Sequence, residues 1–220
     1  MKNVLGLLTL ALAGATAISC GGGGSTPGPG PSPTPSMKPA LYQPLAVGDT
    51  WNYACGPHPA RESAARTAAT TFPVSDTVTQ SIMVNGVTTF ALTLQIPDSS
   101  GTVNTLTELL ANDAQGNTSI YGYLNGSTVN AITPAVIVGA HPAVNEAFNY
   151  TGPSGSTVPR VLQGFDSSNP TGLGTFPTVA VYYENGGTTD NYGYVPGIGQ
   201  VEQDHANFMF DCVIESFHLN

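Results

Sequence analysis

From Leu41 onward the chain consists of short runs of Val, Thr, Tyr, Phe and Ile that are broken by Gly, Asn and Pro. Runs of this kind, bounded by turn residues, indicate β-strands. Helical periodicity is weak throughout, and only the alanine-rich residues 60–69 suggest one or two helical turns. The pattern predicts an all-β fold with little helix, in a single domain over residues 41–220.

Nine strands are predicted where β-branched and aromatic residues recur between turn residues. They cover residues 50–55, 77–83, 88–96, 105–111, 119–124, 157–165, 178–184, 189–195 and 208–217.

The hairpin around Asn85-Gly86 allows a prediction of register. The apolar residues before and after the turn lie at even positions, among them Val84 and Phe90. A two-residue loop would pair Val84 with Val87 and would place the two apolar rows on opposite faces. We therefore predict a three-residue loop that pairs Met83 with Val87, with Gly86 supplying a positive φ.

The first twenty residues have the composition of an export signal. Lys2 precedes an apolar run from Val4 to Ala15, which is too short for a permanent membrane helix, and small residues lead to Cys20. The segment resembles the lipobox of bacterial lipoproteins, which implies a signal peptide over residues 1–19 and lipidation of Cys20. The alternative is an ordinary secretory cut nearby that leaves Cys20 as a plain thiol. By the same resemblance, Gly21 after the cysteine implies sorting to the outer membrane.

Residues 20–40 form a tether in which the predicted lipidated Cys20 is followed by Gly, Pro and Ser. This low-complexity segment lacks the apolar residues that would offset the entropy of ordering, so we expect it to be disordered. Loss of the signal leaves four basic residues against 14 acidic ones, a formal net charge of about −10. This charge argues against binding nucleic acid or anionic headgroups. The predicted membrane partner is reached only through the lipid on Cys20.

Cys55 and Cys212 remain as an even pair once Cys20 is set aside. In an oxidising compartment such thiols tend to pair, and both lie on apolar rows of predicted strands, the first and the last. We predict a Cys55–Cys212 disulfide; the alternative is two separate buried thiols.

Three short motifs occur in order along the domain. They are Pro44-Leu45-Ala46-Val47-Gly48 leading to Trp51 and Tyr53, then Gly174-Thr175-Phe176, then Pro196-Gly197-Ile198-Gly199-Gln200-Val201. Together they resemble a group of exported bacterial β-rich proteins and lipoproteins of uncharacterised function, in which Gln200 is more often a larger apolar residue. The resemblance implies a single domain built on a curved antiparallel sheet, either a half-barrel or a sandwich, and it implies no activity. Physically, Trp51 is expected to anchor the core, and Gly197 and Gly199 to form a tight turn.

No pattern specifies a catalytic residue, a cofactor or a metal site. A weak metal site at Glu202, Asp204, His205 and Asp211 is weighed against a solvated loop, which we favour. Residues 98–101 and 112–117 resemble calcium loops but lack the bidentate Glu and fall at expected hairpin turns. Several strand tyrosines could line a sugar- or lipid-binding face, or serve ordinary packing: Tyr121, Tyr123, Tyr182, Tyr183, Tyr192 and Tyr194.

Two function classes remain. We expect a lipid-anchored, non-enzymatic module outside the cytoplasm that binds a protein or small-molecule ligand. The alternative is a hydrolase with an unrecognised site. A closed apolar concavity would favour the first class, and a histidine converging with carboxylates in a cleft would favour the second.

Overall fold

A computed structural model describes residues 41–57, 72–97, 102–166, 170–171, 173–185, 189–205 and 210–220. These residues form 14 strands and, within the same ranges, no helix. The strands are β1 (Thr50–Pro57), β2 (Phe72–Val84), β3 (Val87–Pro97), β4 (Val103–Asn112), β5 (Thr118–Asn125), β6 (Thr128–Val138), β7 (Ala147–Thr151), β8 (Thr157–Asp166), β9 (Pro170–Thr171), β10 (Gly174–Thr175), β11 (Val179–Asn185), β12 (Thr189–Val195), β13 (Gly199–His205) and β14 (Phe210–His218).

Twelve of these strands form one antiparallel sheet in the order β6-β5-β4-β3-β2-β1-β14-β13-β12-β11-β8-β7, and β9 pairs only with β10. The two end strands, β6 and β7, lie beside each other, so the sheet curves into a nearly closed, barrel-like shape. Strand twist drives this curvature, and register shifts in six of the strand pairs add to it. The prediction of an all-β fold on a curved antiparallel sheet is confirmed.

The core fills the concave side of the sheet. Trp51, Tyr53 and Cys55 alternate along β1 and are almost completely buried, as the period of two along a strand requires. Their neighbours come from nearly every other strand, including Val78, Ile120, Leu162 and Ile214, each of them fully buried.

Each of the nine predicted strands overlaps an observed one, but the prediction missed β6, β7, β9, β10 and β13. β6 is an end strand that carries Pro134 and mostly exposed residues, so it lacks the alternation by which a strand is recognised. β13 was predicted as a turn followed by a loop. The predicted helical turns at residues 60–69 lie outside the described residues.

The predicted register of the Asn85-Gly86 hairpin is wrong. Val84 pairs with Val87 around a two-residue loop, in which Asn85 has φ 49° and Gly86 has φ 83°. The prediction assumed one constant register, but a bulge at Thr79 shifts the pairing between Val78 and Gln80. The bulge moves the later even positions of β2 to the convex face.

The convex face accordingly carries a second, smaller apolar cluster. Val84 packs there with Ala91 and Leu109, and Ile82, Tyr121 and Leu124 surround them. The apolar residues of β2 are therefore divided between two cores, with Val78 on the concave side and Val84 on the convex side.

Candidate functional site: a cavity on the concave side of the sheet

A cavity of about 190 Å³ lies on the concave side of the sheet. Its exposed Pro153 belongs to the β7–β8 connection, so the cavity opens beside that loop. Nine of the 20 lining residues are aliphatic: Leu92, Leu94, Ile96, Leu106, Leu110, Ile120, Ile137, Val138 and Val158. The polar part of the lining consists of Gln43, Glu108, Thr118, Tyr123, Tyr150, Arg160, Glu184, Tyr192, Tyr194 and Gln200.

Arg160 is the centre of the polar part. It lies on β8, directly opposite Glu184 of β11, and its side chain is 4% exposed. The Arg160 Nε atom lies 3.5 Å from Glu184 Oε1, and the hydroxyl of Tyr150 donates a 2.6 Å hydrogen bond to that same oxygen. The guanidinium carbon lies 4.7 Å from the ring centre of Tyr192, within range of a cation–π contact. A buried guanidinium is therefore neutralised by one carboxylate and flanked by aromatic rings.

A chain of hydrogen bonds runs from Arg160 towards the amino-terminal segment. Arg160 Nη2 donates to the Tyr194 hydroxyl at 3.1 Å, and that hydroxyl donates to Gln200 Oε1 at 3.0 Å. The backbone amide of Gln200 donates to Gln43 Oε1 at 3.2 Å. The glutamine at position 200, where an apolar residue is more usual in the group that the motifs resemble, thus serves as an acceptor for a buried tyrosine.

Glu108 is the second carboxyl group of the cavity. It lies on β4 between the inward residues Leu106 and Leu110, opposite Tyr123 on β5. Burial, followed by the charge of Glu184, raises the pKa of Glu108 to about 7, although Arg160 acts to lower it. Burial and then Glu184 likewise raise the pKa of Tyr150. The carboxyl of Glu108 makes no hydrogen bond with any described residue of the protein, unlike that of Glu184.

The first and third sequence motifs meet below the cavity. The indole nitrogen of Trp51 donates a 2.6 Å hydrogen bond to the Ile198 carbonyl, and the Tyr53 hydroxyl donates to the Gln200 carbonyl at 3.0 Å. Gly197 and Gly199 have φ values of 80° and 105° in this turn. A Cβ atom at position 199 would lie 2.9 Å from Trp51 Nε1, so the close approach needs glycine.

The predicted site residues do not converge on one place. Cys55 and Cys212 are bonded to each other as a directly opposite pair on β1 and β14, with Cα atoms 4.0 Å apart, so the predicted disulfide is present. Gly86 lies in the β2–β3 turn, and Cys20 lies outside the described residues. None of these residues lines the cavity.

The structure does not support the metal sites that were weighed from the sequence. The described part of the chain contains no group of His, Cys, Asp and Glu side chains that could hold a metal ion. Asp113 instead closes its own turn: its Oδ1 accepts hydrogen bonds from the amides of Gln115 and Asn117, each at 2.9 Å. These bonds lower the pKa of Asp113 against the effect of burial. The other calcium-like segment, residues 98–101, lies outside the described ranges.

Three of the six strand tyrosines, Tyr123, Tyr192 and Tyr194, line the cavity. Tyr182 lies beside them in the core, 5.7 Å from Tyr194 between ring centres, and Tyr121 packs in the convex cluster. Tyr183 follows the inward Tyr182 and so belongs to the opposite face.

Sequence reasoning missed the charged residues of the site, Glu108, Arg160 and Glu184. A signal was available, since Glu108 and Arg160 each interrupt an inward apolar row at a spacing of two and Glu184 follows Tyr182 in such a row. The rows are Leu106-x-Glu108-x-Leu110, Val158-x-Arg160-x-Leu162 and Tyr182-x-Glu184. A charge within such a row predicts either a bulge or a polar interior.

None of the residues that the structure describes belongs to a helix long and apolar enough to cross a membrane.

No family model and no curated protein matches the chain. Two solved structures have a similar fold. One is a presumed exported protein with a YmcC-like fold from Bacteroides fragilis, 14% identical, covering 82% of this chain and 100% of its own, with a TM-score of 0.43. The other is a presumed lipoprotein from Parabacteroides distasonis, 15% identical, covering 81% of this chain and 99% of its own, with a TM-score of 0.39. At these scores neither likeness supports an argument about function.

Proposed function

We propose that this chain is a lipid-anchored binding module outside the cytoplasm, and that its cavity holds a small ligand. The observation that carries the proposal is an aliphatic wall enclosing about 190 Å³ around the buried Arg160–Glu184 pair. Pockets for small molecules combine such apolar walls with a few fixed polar groups. An engineered cavity of about 150 Å³ is enough to bind benzene.

A binding role is favoured over the hydrolase alternative by the chemistry of the lining. The cavity presents two carboxyl groups, and the described residues that line it include no histidine, serine or cysteine. Acyl transfer needs a nucleophile with an adjacent base, and the hydroxyl of Thr118 in the lining instead donates to the amide oxygen Oδ1 of Asn112 at 2.8 Å. Arg160 and Glu184 are also engaged with each other rather than directed at a common point in the cavity.

The attachment part of the proposal rests on the sequence. Cys20 carries the lipid, residues 21–40 hold the domain away from the membrane, and Gly21 directs the protein to the outer membrane. A single acyl chain binds membranes only marginally, so the modification has to supply more than one chain.

Binding of toluene tests the cavity. We expect saturable binding by ligand-observed NMR, and Val158→Phe, which fills the cavity rim, should abolish it. Val103→Phe is the matched control, because Val103 is exposed on β4 and does not line the cavity. Equal toluene binding by both variants would contradict the proposed site. A hydrolase would also turn over a p-nitrophenyl ester, and Val158→Phe would stop that turnover.

Membrane fractionation tests the anchor. Cys20→Ser should release the protein from the membrane fraction or block its maturation, whereas Ser36→Ala in the tether should change nothing. Fractionation of Cys20→Ser with membranes, as for the unmodified sequence, would contradict lipid anchoring.

A further inference from the structure

The charges that line the cavity do not balance. The acidic and basic side chains among the described lining residues are Glu108, Glu184 and Arg160, so one carboxyl group is in excess when both glutamates are ionised. Glu184 already has the Arg160 guanidinium at 3.5 Å and the Tyr150 hydroxyl at 2.6 Å. The excess therefore falls on Glu108, the carboxyl that has no hydrogen bond with the described residues.

Glu108 and Arg160 belong to different parts of the sheet. β4 and β8 are not adjacent, because β5, β6 and β7 lie between them where the sheet nearly closes. Arg160 is held on its own side by Glu184, by the Tyr194 hydroxyl and by the Tyr192 ring. Because Arg160 makes these contacts with its own neighbours, Glu108 has no direct counter-ion among the described residues.

The protein groups that act electrostatically on Glu108 come from several strands. Asp76 of β2 is satisfied by the Gln95 amide at 2.9 Å and by Gln203 Nε2 at 2.7 Å, so its charge adds to the negative field. The ionisable groups that influence Glu108 or respond to it are Glu184, Arg160, Asp76, Tyr123, Tyr150 and Tyr194. Arg160 is the single cation among them.

We infer that the ligand of the cavity is a small amphipathic cation, an amine with an apolar group, whose ammonium group pairs with the Glu108 carboxylate. The inference rests on the proposed binding function. A carboxylate on a cavity wall that is partly aliphatic is costly unless it is paired, and an ammonium group supplies both the charge and the hydrogen bonds. Tyr123 and Tyr150 belong to the same lining, and aromatic rings attract a cation. The aliphatic wall takes the apolar part.

An anionic ligand fits the same cavity less well. A carboxylate drawn to Arg160 would have to displace Glu184 or add a third negative group to a buried site. The structure therefore predicts discrimination by charge: a cation is preferred to a neutral analogue, and a neutral analogue to an anion.

The test uses three probes with one six-carbon chain: hexylamine, 1-hexanol and hexanoate. At about pH 7.5, calorimetry and ligand-observed NMR should show hexylamine binding at least about tenfold more tightly than hexanoate. Glu108→Gln should reduce this preference to within about threefold. Glu215→Gln is the matched control, since Glu215 is exposed on β14 away from the cavity. It should leave the preference unchanged.

Proton release on ligand binding to the wild-type protein gives a second readout that does not depend on a variant. The empty cavity holds a proton on Glu108 below about pH 7. Hexylammonium binding at about pH 6 should therefore release nearly one proton, and binding at about pH 8.5 almost none. The number of protons follows from titrations in buffers with different ionisation enthalpies.

The outcomes separate the two proposals. Tightest binding by hexanoate or 1-hexanol, or amine binding without proton release and equal in Glu108→Gln, overturns the cationic ligand and leaves the binding function in place. Binding of toluene without binding of any six-carbon probe also overturns the cationic ligand alone. If neither toluene nor any of the three probes binds, both proposals fall.

Discussion

The indole nitrogen of Trp51 donates a 2.6 Å hydrogen bond to the backbone carbonyl of Ile198, 147 positions further along the chain. Two residues later on β1, the hydroxyl of Tyr53 donates to the carbonyl of Gln200 at 3.0 Å. β1 and β13 are not neighbours in the sheet, because β14 lies between them. The two bonds therefore join the first strand to the β12–β13 turn and to the start of β13 across the concave side. They fix the backbone of Gln200, whose side chain accepts the hydrogen bond from Tyr194.

Tyr53→Phe should lower the free energy of unfolding by about 1–3 kcal/mol, because it leaves the buried Gln200 carbonyl without its donor while creating no cavity. Urea unfolding measures the change. Tyr183→Phe is the control, as Tyr183 is half-buried on the opposite face, and it should shift stability by less than about 0.5 kcal/mol. Equal effects of the two substitutions would show that the bond to Gln200 contributes nothing.

Replacing Gly86 by Ala should destabilise the protein by about 1–2 kcal/mol, since a side chain at φ 83° is strained. Gly164→Ala is the matched control. An added Cβ would meet nothing within 4 Å at either position, but no positive φ is found at Gly164. The two substitutions therefore differ chiefly in the backbone conformation that the residue must adopt. Thermal unfolding that ranks Gly164→Ala as the more damaging change would refute this account of the turn.

The Cys55–Cys212 bond should contribute more stability than any single core side chain. It closes a loop of 157 positions, which implies at most about 5 kcal/mol in the chain-entropy model. The double substitution Cys55→Ala with Cys212→Ala should lower the free energy of unfolding towards that limit, measured by urea denaturation. Thiol titration of the denatured, unreduced protein provides the check, because two reactive thiols from this pair would contradict the bond.

The alternation of Val, Thr and Tyr was enough to predict the fold class and nine of the strands, because a buried face imposes a period of two wherever the register is constant. The same reasoning failed where the register changes. The bulge at Thr79 leaves no clear mark in a run of alternating residues, yet it decides which face Ile82 and Val84 occupy. Strand pairing over many residues sets such bulges, so local sequence does not reveal them.

The site was harder to predict than the fold for a related reason. Arg160 and Glu184 are 24 positions apart and meet only because β8 pairs with β11, while Glu108 reaches the same cavity through the curvature of the whole sheet. The cysteine pair was predictable, since an even number of exported thiols limits the choices. The sequence places no comparable limit on which residue a single buried arginine will contact.

Glu108 should make stability depend on pH in the direction opposite to that of a salt-bridged carboxylate. Its pKa of about 7 in the folded protein lies above the ordinary value of 4.5. Between these two values the folded state binds more protons than the unfolded state, so stability falls as pH rises from about 4.5 through 7. Below this range both states are protonated, and the stability associated with Glu108 is fully present. Above it that contribution is lost.

Glu108→Gln should remove this loss, because an amide mimics the protonated carboxyl and carries no charge to bury. We expect the variant to exceed the unmodified protein in stability at about pH 8 by up to roughly 3 kcal/mol, with the difference shrinking towards zero near pH 4.5. Urea unfolding at a series of pH values measures the stability difference near pH 8 and near pH 4.5. The control Glu215→Gln should reproduce the pH profile of the wild-type protein. A Glu108→Gln variant that is less stable at pH 8 would show that the Glu108 carboxylate is stabilised in the empty cavity, and a difference that does not change with pH would show that the pKa of Glu108 is the same in the folded and unfolded states. The lower stability at pH 8 would mean that the carboxylate already has a favourable partner in the protein, because a charge against an apolar wall is costly unless it is paired.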